Sequence, residues 1–191
     1  MNLAQIKERA IQLLNEYSNN GNLITQKNAD YILRMNSLID DVQFEIAKIR
    51  KIMADPVTLD TPDIRTEYYN KFKMPSNFME LHSIIYNDVA LNDIRWEGKN
   101  ILLIPVTLTL PLTMYYYKYP NTIDKKTSDD IELEIDIDAQ KIVPYYVAGH
   151  CKIDEEPQLA IQLLNEYQLK LSRVLGDNNY SITSIANIYY S

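Results

Sequence analysis

The chain reads as an α+β protein, mainly an α-helical bundle with a long N-terminal helix and a C-terminal helix hairpin, into which an antiparallel β region is inserted. Three observations predict this. Apolar residues recur every three or four positions from Ile32 to Met53 and again from Ala160 to Val174, the spacing of a buried helix stripe. Residues 100–117, NILLIPVTLTLPLTMYYY, carry no charge and alternate instead, as a strand with one buried face does. Gly21, Asp55–Pro56, Pro157 and Gly176 stand where elements should stop or start.

The elements follow in order. Leu3, Ile6, Ala10, Leu13, Leu14 and Tyr17 make residues 3–17 an amphipathic helix, with Gly21 available to cap it. A second helix is expected from about Asn28 to Met53, after Thr25 as N-cap. Its stripe is Ile32, Met35, Ile39, Val42, Ile46, Ile49 and Met53, widened by Tyr31, Leu38 and Ile52. Asp55–Pro56 ends it. A strand is expected through Ile84–Tyr86, then a hairpin in DIRWEGKNILLI turning at Glu97–Gly98. Val106, Leu108 and Leu110 alternate with Thr107 and Thr109, while Pro105 and Pro111 confine these strands to an edge or a bulge. In DIELEIDID, Ile131, Leu133, Ile135 and Ile137 alternate with carboxylates, which predicts a strand leading into a helix at about 138–152. Pro144 starts or bends that helix. The last helix opens at Pro157 and closes at Gly176, and the short IDEEP connection makes the two an antiparallel hairpin.

The 191 residues suit one domain, divided into N-terminal helices (1–55), a β-rich region (56–135), a helix hairpin (136–176) and a tail (177–191). AIQLLNEY occurs at 10–17 and again at 160–167, but the flanks differ. A duplicated domain would match over a longer stretch. The copies share Ala, Leu, Leu and Tyr at i, i+3, i+4 and i+7, so they read as two core helices that reached one solution.

Composition removes several functions. With only 4 glycines there is no GxGxxG or GxxxxGK[ST] phosphate cradle. A net charge of −7 argues against gripping a phosphate backbone. The lone Cys151 permits no internal disulfide and no CxxC knuckle, which suits a reducing compartment. MNLAQIKERAIQLL carries charges where a signal peptide needs an apolar run, so secretion is not expected. Pro105, Pro111 and three threonines argue against a spanning helix in residues 100–117, and no membrane partner is expected.

No catalytic, cofactor or metal site emerges, and an enzyme is not expected. Cys151 follows His150, but neighbours on a helix point about 100° apart, so the pair reads as structural. Two histidines and one cysteine cannot supply a metal knuckle. The acidic run from Asp124 to Asp138 lacks the DxDxDG loop of a calcium site and reads as a solvated face. Tyr115, Tyr116, Tyr117 and Tyr119 could stack on bases, yet only Lys118 interleaves them, so a protein contact fits better.

In their order, three segments resemble the head–tail connector (adaptor, or neck) proteins of tailed bacteriophages. These are LLNEYSNNGNLITQKNADYILRMNSLIDDVQFEIAKI, KFKMPSNFMELHSIIYND with its continuation LTMYYYKYPNTI, and DAQKIVPYYVAGHCKIDEEPQLAIQLLNEYQLKL. Each motif is weak alone, and together they cover most of residues 10–175. The resemblance implies a virion protein made in the host cytoplasm, a homo-oligomeric ring of about twelve subunits under the portal protein. It would touch the tail or a second neck ring and let DNA pass without sequence-specific binding. An acidic lining that includes Glu132, Glu134 and Asp136 would repel phosphate. Leu108, Leu110, Leu112, Tyr115 and Tyr117 are expected to contact a neighbouring subunit or the tail. Tyr180, Ile182, Ile185, Ile188 and Tyr189 are expected to dock on a partner ring. The competing readings are another phage neck or tail-completion ring protein, or a cytoplasmic non-enzymatic interaction domain.

Overall fold

The structure, a computed structural model, describes residues 1–14, 29–92 and 94–176. It forms two compact units, one from Met1–Arg50 with the chain from Pro120 onward, the other from Lys51–Tyr119. It is a mixed α/β fold with a curled antiparallel sheet, a half-barrel. The expected mainly helical bundle is therefore incorrect: the β residues are not an accessory to a helical core but build a hydrophobic core of their own.

In the first unit, α1 (Leu3–Leu13) starts in a capping box. Asn2 Oδ1 accepts from the Gln5 amide at 3.0 Å, and Gln5 Oε1 accepts from the Asn2 amide at 3.1 Å. Leu3, Ile6, Ala10 and Ile11 are fully buried. Helix α2 (Ala29–Arg50) buries Tyr31, Met35, Ile39, Val42 and Ile46. It stops three residues before Met53, because Lys51 turns to φ 41 and Ile52–Met53 pair as a strand. A ladder partner outweighed the helical period there.

The alternating stretch 130–138 is not a strand. Beyond an isolated bridge between Asn2 and Glu132 it runs irregularly. Leu133 and Ile135 are buried while Ile131 and Ile137 are 50% and 64% exposed. Its carbonyls are met by a side chain in place of a ladder: Gln140 Nε2 donates to Leu133 O and Ile135 O at 2.9 and 2.8 Å. Asp136 caps the single turn α3 (Ile137–Gln140), its Oδ1 accepting from the Ala139 amide at 3.0 Å. Upstream, the chain is clipped to α2 by Asn36 Nδ2 donating to Asp124 O, Gln43 Nε2 donating to Asn121 O, and the Ile123 amide donating to Asp40.

Helices α4 (Val143–Lys152) and α5 (Pro157–Leu175) form the expected hairpin, with prolines in both first turns and Gly176 at φ 74 closing α5. Helix α4 is the centre of this unit and packs against α1, α2, α3 and α5. Gly149 permits a close contact with α5. A Cβ there would lie 2.7 Å from Leu164 Cγ and 3.3 Å from the Ala160 carbonyl oxygen. Ala160, Leu163, Leu164 and Tyr167, the stripe of the second AIQLLNEY, are all buried. Of the first copy, Ala10, Ile11 and Leu14 are buried, and its last three residues lie outside the described residues.

Among the described residues, the second unit holds nine strands. Strands β1 (Ile52–Met53) and β2 (Val57–Leu59) both pair with β9 (Leu112–Lys118), which pairs on its other side with β5 (Phe78–Tyr86); β5 then pairs with β6 (Val89–Ala90). A second sheet runs β3 (Ile64–Arg65), β4 (Tyr69–Lys73), β8 (Ile101–Pro105), β7 (Arg95–Glu97). Register shifts between Phe78 and Glu80 and between Leu81 and Ser83 interrupt the β5–β9 ladder, the kind of irregularity that bends and twists a strand. Phe72, Ile84, Leu102, Ile104, Leu112 and Met114 fill the core from both sheets.

The edge placement expected from the prolines needs correction. Strands β8 and β9 are interior, each paired on both sides, and Pro105 and Pro111 sit at their ends, where no ladder N–H is missed. Between them residues 106–111 form a turn and not a strand.

Two substitutions test this packing. Gly149→Ala should destabilise the protein by about 1–3 kcal/mol in chemical denaturation, because Leu164 is enclosed and cannot yield freely; an unchanged midpoint would contradict the close contact. The Tyr167 hydroxyl is buried without a hydrogen-bond partner among the described residues. Tyr167→Phe should therefore leave stability unchanged or raise it by up to about 1 kcal/mol, and a clear loss would reveal a partner.

Candidate functional site

At the open end of the α4–α5 hairpin, away from its connecting turn, the first unit has a groove of about 980 Å³. Helix α1 contributes Glu8 and Arg9, the end of α2 contributes Arg50, the α3–α4 region Asp138 and Lys141, and α5 Lys170 and Arg173. Among the described residues, five cationic side chains thus line it against two carboxylates, in a chain that is acidic overall.

Several of these cations are held in place. Arg50 Nε lies 2.9 Å from Asp136 Oδ2, and its Nη1 donates to Val174 O at 2.9 Å, so it bolts the end of α5 to the cap of α3. Burial opposes ionisation of Asp136, but the Ala139 amide and Arg50 outweigh it and hold that carboxyl below the usual range. Lys141 pairs with Asp138, and Lys170 pairs with Glu166 and sits 5.0 Å from the Tyr145 ring centre. Arg9 donates to the neutral Gln12, and among the described residues no carboxylate pairs with Arg9 or Arg173.

The other end of the hairpin has the opposite sign. Its turn carries Asp154, Glu155 and Glu156, all exposed. The buried Lys152 lies 3.1 Å from both glutamates, and Tyr31 donates to Glu155. Those bonds to Tyr31 and Lys152 lower the Glu155 pKa. Asp154 has no ion pair among the described residues.

The contact residues expected in the β region separate by face. Leu112 is in the core, and Leu108 and Leu110 are half-buried against it. Tyr115 and Tyr117 are half-buried and alternate with the buried Met114 and Tyr116, so they lie on the opposite face of β9. Tyr117 is brought together there with His82, whose Nδ1 is 3.2 Å from the Tyr117 hydroxyl, and with Lys51, 5.0 Å from its ring centre. On the far side of β5, only Ile85 and Tyr86 have a strand partner, which leaves residues 78–83 as an open edge among the described residues. The expected docking residues Tyr180, Ile182, Ile185, Ile188 and Tyr189 lie outside the described residues.

Of the acids expected to line a channel, Glu134 accepts from the Asn121 amide and Asp136 caps α3, while Glu132 is exposed. Two of the three therefore have structural tasks. Among the described residues, no group of three or more His, Cys, Asp or Glu could hold a metal ion, and no helix is long and apolar enough to cross a membrane.

His150 and Cys151 do not act as a pair. His150 packs its ring on Tyr146, with centroids 4.3 Å apart. Burial lowers its pKa, with Asp41 pulling the other way. Cys151 is buried, and that burial pushes its thiol up from 9.0 to about 11, the opposite of what nucleophilic activation requires.

Sequence reasoning missed the groove. Its residues come from α1, α2, α3 and α5, far apart in the chain, and single Lys and Arg residues on helix surfaces carry no signal that they will converge. Compared with known proteins, the chain matches no family model, and no curated protein matches it.

The Cys151 thiol should resist a disulfide exchange reagent at pH 8 in the folded protein and react fully in urea; rapid native labelling would contradict its burial. Because its folded pKa lies above the ordinary 9.0, its contribution to stability is complete below pH 9 and is lost between about pH 9 and 11.

Proposed function

We propose that this chain is a structural subunit of a bacteriophage neck, forming a ring beneath the portal that joins head to tail and leaves a channel for DNA. The observation that carries the reading is the order of the three segments that resemble connector proteins. Their described residues correspond to the long helix α2, the β4–β5 and β9 strands of the half-barrel, and the α4–α5 hairpin. Those are framework elements, so the resemblance concerns the protein's architecture and not a peripheral loop. A rigid hairpin bearing charge at both ends suits a subunit that meets copies of itself, and the net acidity suits a channel that must not retain DNA.

The open edge of β5 favours a second reading, a non-enzymatic interaction domain that adds a partner's strand at residues 78–83. Quantitative mass spectrometry of purified particles from the source of this sequence separates the two. A copy number near that of the portal, far below the capsid protein, is the result expected for a neck ring. Absence from finished particles would overturn that reading in favour of the interaction domain.

A further inference from the structure

We infer that the acidic turn of one copy, centred on Asp154, seats in the basic groove of the next copy beside Arg9 and Arg173. The inference deepens the ring reading above and rests on it.

Four observations lead to this contact. The groove is cationic in an acidic chain, and two of its arginines have no carboxylate partner among the described residues. The turn is the matching anion: three carboxylates stand against the single Lys152. It is also preorganised, since the Glu155 and Glu156 amides both donate to the Lys152 carbonyl and their side chains meet its ammonium group, which limits the ordering cost of docking. Finally, turn and groove lie at opposite ends of one hairpin, separated by the 10 residues of α4, roughly 15 Å of helix. A patch at one end that fits the other end of an identical copy makes a head-to-tail contact, and such contacts close into rings when the rotation allows. Opposite charge steers the encounter and sets its register. Exposed pairs are weakened by salt, so the contact should be strongest at low ionic strength.

The test uses the full chain and two variants. Arg9→Glu/Arg173→Glu reverses the groove. Asp154→Lys alters the turn and leaves in place the two glutamates that hold Lys152. All three altered positions are exposed, and thermal denaturation should show both variants folded like the original protein. In native mass spectrometry at low ionic strength, the unaltered chain should form oligomers that dissociate as salt is added. Each variant alone should be monomeric. Their mixture should recover oligomers that contain both variants, because each intact groove meets an intact turn and each reversed groove meets a turn bearing lysine. An unaltered chain that stays monomeric, variants that assemble like the original, or a mixture that stays apart would each overturn the contact. Rings that persist in both variants would do so without harming the neck reading, whereas absence of the chain from particles would remove that reading itself.

Discussion

The helical unit depends on how closely α4 can approach α5, and Gly149 sets that distance. Leu164 and the Ala160 carbonyl occupy the space that any larger residue would need. Helices α1, α2 and α3 all pack on the same helix α4. Glycine is a costly residue inside a helix, by about 0.5–1 kcal/mol relative to alanine, and the burial of Leu164, Val147 and Ala148 around it offsets that cost. Side-chain hydrogen bonds to backbone from Asn36, Gln43 and Gln140 then fix the irregular chain between Pro120 and Asp136 onto this frame.

The β unit stands on a different arrangement. Strand β9 is flanked on both sides, and its alternating residues divide cleanly between a core face and the Tyr115–Tyr117 face. Interruptions in the β5–β9 register accompany the curl. Asn87 and Asp88, at φ 46 and 62, supply the tight turn that returns β6 along β5. That return strand is short, and it ends before the open edge of β5 is covered.

Much of this was legible in the sequence. The helix stripes of α2 and α5, the prolines that open α4 and α5, the antiparallel helix hairpin and a β-hairpin turning at Gly98, one residue later than expected, all follow from local chemistry acting on local structure. What failed was decided by tertiary partners. Ile52 and Met53 fit the helical stripe, but β9 claims them. Ile131 and Ile137 alternate perfectly with carboxylates, yet Gln140 satisfies the carbonyls of Leu133 and Ile135 and no ladder forms. The fold class erred for the same reason. Nine strands, most of five residues or fewer, carry a weak local signal, and their joint core is visible only once they pair. The basic groove is the extreme case, since it belongs to no segment.

The measurement that tests the central claim most directly is an electron cryomicroscopy reconstruction of the neck in particles from the source of this sequence. The account requires a rotationally symmetric ring between portal and tail into which the α4–α5 hairpin and the half-barrel can be built, one copy per subunit. A neck fully explained by other chains, with no density for this hairpin, would contradict it.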